Sequence, residues 1–199
     1  MHPDQFQTFE RICAERGAGG AILEIGAVPS EDSLLCLRSL RAATRKVGVN
    51  LDGPSTYRDF AILKANSNDL SCFREGEFDT VLCNAVLEHD LFFWRSLEEM
   101  RRVTRTGGLI IIGVPGFIQS RPERWRARMS RSPFVRTMFR RPSESLLAST
   151  PVLQVHNYPS DYYRFSPQAV IELFMRGLKD VQVFSLMRPP RIIGSGLKP

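Results

Sequence analysis

Four groups of residues have types and spacings that could do chemistry. The densest is the run His156-Asn157-Tyr158-Pro159-Ser160-Asp161-Tyr162-Tyr163-Arg164-Phe165-Ser166. His156, Tyr158, Asp161 and Tyr163 are its candidates for orienting or deprotonating a polar molecule; equally, Tyr162, Tyr163 and Phe165 could pack on a core while Asp161 pairs with Arg164. His89, in Leu87-Glu88-His89, is placed to act as a base near neutral pH or to order a loop. Between Phe117 and Pro142 stand eight Arg (121, 124, 126, 128, 131, 136, 140 and 141) against the single acid Glu123. Guanidinium groups match phosphate and carboxylate bidentately, so this segment reads as a site for an anionic small molecule. Nucleic acid or an anionic membrane surface is a weaker reading, because no nucleic-acid motif accompanies the charge. A solvated face with no partner is the plain alternative. The fourth group is Cys13, Cys36, Cys72 and Cys83, which form no Cys-x-x-Cys and have few His to join them. No metal is expected, and the thiols read as reduced, mostly core residues of a cytoplasmic protein.

The elements that must position these groups are read from periodicity. Phe78–Cys83 is a short apolar run, hence a strand. Phe93, Leu97, Met100 and Val103 recur at helical spacing, with Arg95, Glu98, Glu99, Arg101 and Arg102 opposite. Glu98 and Arg102 stand four apart in the favourable order, and Gly107-Gly108 is expected to stop the helix. Leu109–Val114 is apolar throughout, as in a parallel strand covered on both faces. This strand–helix–strand unit is a right-handed crossover. Upstream, Pro3–Arg16 reads as a helix, Ala21–Gly26 as the first strand, and Ser30-Glu31-Asp32 as the start of a helix burying Leu34, Leu35, Leu37 and Leu40. Lys46–Leu51 and Asp59–Ala65 read as strands whose connection is cut down to a loop or single turn. Downstream, Ser166-Pro167 should cap a helix with Val170, Ile171, Leu173 and Phe174 on its apolar face. Val181–Leu186 should be a strand, with a short last one at Ile192-Ile193.

The chain has 199 residues and a net charge of +6. The Arg-rich segment alone carries +7, so basicity is local and the remainder is nearly neutral. The length suits one domain spanning 1–199, with 116–165 as a basic insertion or lid. No apolar run approaches a membrane span, and the N-terminus lacks the pattern of a secretory signal.

The order Phe-Asp-x-Val-x-Cys-x-x-x-Leu-Glu-His, an amphipathic helix ending Glu-Met-Arg-Arg-Val, then Gly-Gly, an apolar strand and Pro115, resembles the core of class I S-adenosylmethionine-dependent methyltransferases, most of all the small single-domain type. The resemblance is specific over roughly forty residues. It implies a doubly wound, mostly parallel α/β sheet with helices on both faces, here with a shortened second crossover, and S-adenosylmethionine as cofactor. It further implies a cofactor site at three strand ends. Glu24 and Gly26 match the family's Glu-x-Gly-x-Gly, with Ala27 following, whereas Val28 replaces the second Gly. Asn50 stands where an acid usually takes the ribose hydroxyls, with Leu51 against the adenine and Asp52 as a substitute acid. Asn66 stands where an acid usually meets the adenine amino group, and Cys83 where backbone faces the sulfonium. The acceptor would lie under the segment before the last helix. The expected function is methyl transfer to a small-molecule acceptor, possibly an anion; the alternative is a non-catalytic binding module acting through the Arg-rich segment.

Overall fold

The computed structural model describes residues 2–117, 160–187 and 190–199. The Arg-rich segment, His156, Tyr158 and most of the expected lid 116–165 lie outside them. Eight strands form one sheet: β1 (Ala21–Ile25), β2 (Arg45–Asn50), β3 (Ser55–Tyr57), β4 (Phe60–Lys64), β5 (Phe78–Asn84), β6 (Thr104–Pro115), β7 (Lys179–Met187) and β8 (Pro190–Leu197), in the order β3-β4-β2-β1-β5-β6-β8-β7. The central strands β4, β2, β1, β5 and β6 run parallel, and β3, β8 and β7 are antiparallel additions at the edges. This is the expected Rossmann-like α/β sheet.

Strand alternation divides the core in two. On one face Leu23, Val47, Val81 and Ile110 pack with Leu97, Met100 and Val103 of α2 (Phe93–Val103) and with Phe165 and Phe174. On the other, Ile22, Leu82, Leu109 and Ile111 pack with Phe9, Ile12 and Cys13 of α1 (Pro3–Glu15). Among the described residues no helix is long and apolar enough to cross a membrane.

Several expected elements come out differently. The connection from β1 to β2 is not an α-helix but two 3-10 turns, Leu34–Cys36 and Arg38–Leu40. Its four leucines are fully buried as expected. The start shifts to Ser33, whose hydroxyl accepts from Leu35 N, and Leu37 is extended at φ −56°, ψ 140°, which interrupts any helix. A carboxylate serves each turn: Glu24 accepts from Leu34 N and Leu35 N, and Glu10 from Arg38 N and Ser39 N. The shortened second crossover is the descending edge strand β3, hydrogen-bonded to β4. Helix α2 ends at Val103, with extended Thr104 as its cap, before the two glycines. Gly107, at φ +74°, and Gly108 instead serve an irregular stretch of β6, where a Cβ on Gly108 would lie 2.8 Å from Arg105 O. The partner of Arg102 is Glu99, at 2.7 Å, rather than Glu98. After the Ser166 cap, α3 (Pro167–Ala169) widens into a π-turn, Val170–Phe174. That widening buries Val170 and Phe174 and leaves Ile171 and Leu173 half exposed, against the expected four-residue face. Strand β8 is also longer than the expected Ile192-Ile193, because it pairs with both β6 and β7.

Arg102 fastens the loop before β5 to α2. Besides Glu99 it donates to Leu70 O at 2.8 Å and Phe73 O at 3.0 Å. Lysine would keep the charge but lose the fork. Arg102→Lys should therefore lower stability by about 1–2 kcal/mol, read from the urea midpoint; an unchanged midpoint would show that these carbonyls are equally well served by water.

Candidate active site

A cleft of about 840 Å³ opens at the C-terminal ends of β1, β2, β4 and β5. This is where open parallel sheets bind ligands, and β1 is the switch point from which the chain winds first toward β2 and β4, then back to β5 and β6. The first wall follows β1. Gly26 has φ +81°, and a Cβ there would meet Val86 Cγ2 at 2.3 Å, so only glycine fits. Gly26 N and Ala27 N both donate to Val49 O. Val28, at the position of the absent second glycine, is not left-handed; it lines the cleft, and its carbonyl accepts from Ser30 N at 2.9 Å. The loop thus takes a path that a β-branched residue before Pro29 can follow.

The second wall follows β2 and β4. Asn50 lines the cleft but spends its amide on Ala27 O at 2.8 Å, tying two loops together. Leu51 (63% exposed) and Asp52 stand beside it in the cleft. Asn66 Oδ1 accepts from Asn68 N at 2.9 Å, closing a tight turn. The third wall follows β5. Ala85 takes φ +55°, a strained setting for a residue with a side chain, and Val86, His89, Asp90, Leu91 and Phe92 continue along the rim. Asp90 accepts from Phe92 N, Asn68 Nδ2 and Ser96 Oγ, so it orders the loop.

A strap, 160–166, crosses this last loop. Tyr162 N and Tyr163 N donate to Glu88 O at 2.8 and 3.2 Å, Tyr163 Oη donates to Leu91 O at 3.0 Å, and His89 Nδ1 lies 3.3 Å from Ser160 O. Tyr162 is thereby set on the cleft. Asp161 instead turns inward and pairs with Arg164, while the Tyr163 ring packs on Phe93 and Phe165.

The structure therefore brings Gly26, Asn50, Leu51, Asn66 and His89 to one cleft. Glu24, Ala27 and Cys83 are buried behind its wall, and Asp161 and Tyr163 belong to the strap's anchorage. Sequence reading missed Ala85, Val86, Asp90, Leu91, Phe92 and Tyr162 as lining residues. Asp90 alone had a signal, a capping acid just before an apolar run.

Two buried acids stand close to the cleft. Glu24 accepts from Ser33 Oγ, Leu34 N and Leu35 N; burial nonetheless pushes its carboxyl up to about 7, these donors offsetting part of the rise. Glu88 has neither carboxylate oxygen hydrogen-bonded among the described residues. Burial pushes it to about 7 as well, against the pull of Arg191 and Arg164.

Residues 33–112 match the sequence model of a family described as a methyltransferase domain. Several solved structures share the fold. A 1,6-didemethyltoxoflavin N1-methyltransferase from Burkholderia thailandensis, with 1,6-didemethyltoxoflavin and S-adenosylhomocysteine bound, is 18% identical over 97% of this chain and 77% of that one, with a TM-score of 0.64. The N-methyltransferase NodS from Bradyrhizobium japonicum, in complex with S-adenosylhomocysteine, is 12% identical over 98% and 86%, with a TM-score of 0.58. A methyltransferase from Archaeoglobus fulgidus is 12% identical over 98% and 93%, with a TM-score of 0.64. At these identities the likeness establishes the fold. No curated protein matches the chain in sequence.

Both acids have folded pKa values above the unfolded 4.5. Between about 4.5 and 7 the folded state holds more protons than the unfolded one, so these groups make stability fall as pH rises through that window. Asp79, held down by the Ala21 amide and Arg105, and Glu99, held down by Arg102, act oppositely, and their contribution is lost only in more acidic solution. The melting temperature should thus be higher at pH 5.5 than at pH 8, as scanning calorimetry would read; a melting temperature that rises steadily to pH 8 would contradict the burial of both acids.

Proposed function

We propose that this chain, which resembles the class I S-adenosylmethionine-dependent methyltransferases in the sequence of 33–112 and in its fold, transfers a methyl group from S-adenosylmethionine to a small molecule. The observation that carries the reading is the cleft at the switch point, with left-handed Gly26 and Ala85 at the ends of the neighbouring strands β1 and β5 and an open carboxylate, Asp52, beside Leu51. These features fit a nucleoside with an amino-acid tail. Gly26 lets backbone approach the tail, Asp52 can accept from the ribose hydroxyls, Leu51 and Val28 offer apolar cover for adenine, and Asn66 retains a free lone pair for its amino edge. The Burkholderia and Bradyrhizobium structures that share this fold hold the demethylated cofactor product.

When bound, the sulfonium supplies an electrophilic methyl: the acceptor's lone pair forms the new bond as the carbon–sulfur bond breaks, leaving a neutral thioether. The chain's part is alignment and exclusion of water, which supply most of the acceleration in a direct displacement. His89, which lines the cleft beside the carboxylates Asp52 and Asp90, is our candidate to take a proton from an acceptor that must lose one.

A second reading, a binding module without catalysis, is favoured by how Asn50 and Asn66 are used. Asn50 spends its amide on Ala27 O of the neighbouring loop and Asn66 its carbonyl on its own turn, where the family pattern has acids.

Calorimetric titration with S-adenosylmethionine and S-adenosylhomocysteine separates the two. The enzyme reading expects micromolar binding, lost on Gly26→Val, where the new side chain would collide with Val86. Asp52→Asn should weaken S-adenosylhomocysteine by about five- to tenfold, the worth of one charge-assisted bond to the ribose. No heat at millimolar ligand, from protein with a normal melting transition, would select the binding module.

A further inference from the structure

The half of the cleft that follows β5 has a chemistry of its own. Leu91, Phe92 and Tyr162 line it while 47%, 43% and 50% exposed, and Trp94, beside Phe92, is 47% exposed. Large apolar side chains gathered half-open around a concavity mark a place where something flat and apolar is covered. The backbone that carries these rings is anchored, and each ring leans on a neighbour. Tyr162 is set by its amide bond to Glu88 O, and its ring leans on Tyr163 at 6.0 Å. Phe92 is set by its amide bond to Asp90, with the Trp94 ring edge-on at 5.6 Å and the Arg95 guanidinium 5.2 Å over its face. Rigid aromatic side chains lose little entropy on contact, and they pair with other rings better than area alone predicts.

Charge narrows the class. The described lining includes the carboxylates Asp52 and Asp90 and no Lys or Arg. Arg95 stacks on Phe92 without itself lining the cleft, and Arg164 is occupied by Asp161. With Asp52 taken up by the cofactor's ribose, an anion entering here would leave water to face the like charge of Asp90, whereas a neutral or cationic ring would not.

We infer that the acceptor is a flat aromatic or heteroaromatic molecule, neutral or cationic, held against the Tyr162 and Phe92 rings. The inference rests on the proposed cofactor reading and departs from the anionic acceptor that the Arg-rich segment suggests.

The test uses the full chain, with and without saturating S-adenosylhomocysteine, and three probes that share one bicycle: quinoline (neutral), 4-aminoquinoline (cationic at pH 7) and quinoline-4-carboxylate (anionic). Binding is read by calorimetry. The amine should bind at least about tenfold tighter than the carboxylate, with quinoline between them. Tyr162→Leu and Phe92→Leu, which keep apolar bulk without a ring, should each weaken the amine by about fivefold at an unchanged melting temperature. Carboxylate binding as tight as amine binding would overturn the inference and make the Arg-rich segment the source of acceptor charge. Unchanged affinity in both Leu variants, or no binding by any probe, would also overturn it. Failure of S-adenosylhomocysteine alone to bind would overturn the cofactor reading instead, and the probe titrations without it would still decide the aromatic one.

Discussion

The Glu24 carboxylate is the contact on which the site's geometry most depends. It sits one residue before the C-terminal end of β1, opposite Gly48 on one side and Leu82 on the other, and is buried. There it gathers the Ser33 hydroxyl and the Leu34 and Leu35 amides. Those groups begin a connection too short and irregular to satisfy itself by helical bonding, so the backbone needs an acceptor from elsewhere. Closing that loop fixes both ends of 26–33, from which Gly26 and Val28 line the cleft. The same device recurs. Glu10 serves Arg38 N and Ser39 N, Asp79 serves Ala21 N, Asp90 serves Phe92 N and Glu99 serves Leu70 N. Irregular connections are held here by side-chain carboxyl groups accepting from main-chain amides.

That economy explains how the proposed cofactor side can depart from the pattern of the methyltransferases it resembles and keep its shape. Asn50 lacks the charge of an acid, yet its amide reaches Ala27 O and couples the β2 end to the β1 loop. Val28 cannot turn left-handed, yet the left-handed step is taken at Gly26 alone, and Val28 becomes part of the apolar wall. Asp52, two residues past Asn50, returns a carboxylate to the same cleft. The departures redistribute the work among neighbouring residues.

Much of the fold was legible because burial leaves a period. Leu97, Met100 and Val103 mark a helix, and the run around Val81 and Leu82 marks a central strand, since both are dictated by a core that must be filled. What stayed hidden depends on distant partners. Ser55–Tyr57 is a strand only because β4 is beside it. Leu34 to Leu40 have helix-like apolar spacing, but Glu24 and Glu10 arrest the turns. Gly107 looks like a helix stop and serves an irregular β6. In the site, Gly26 could be picked out because its residue type is itself the constraint. Phe92 and Tyr162 could not, since an aromatic residue on a cleft rim is indistinguishable in sequence from one in a core. The same limit applies to Asp161, whose type suggested chemistry and whose place is an ion pair with Arg164.

Whether the cleft at the β1 switch point holds S-adenosylhomocysteine can be read from amide hydrogen exchange with and without that ligand, because exchange reports where a ligand lies. Exchange should slow at Gly26–Val28, Leu51–Asp52 and Ala85–His89, with the β7–β8 edge unchanged. Protection centred instead on the groove between Phe6 and Glu31, or no protection at ligand concentrations that saturate binding, would contradict the cofactor reading.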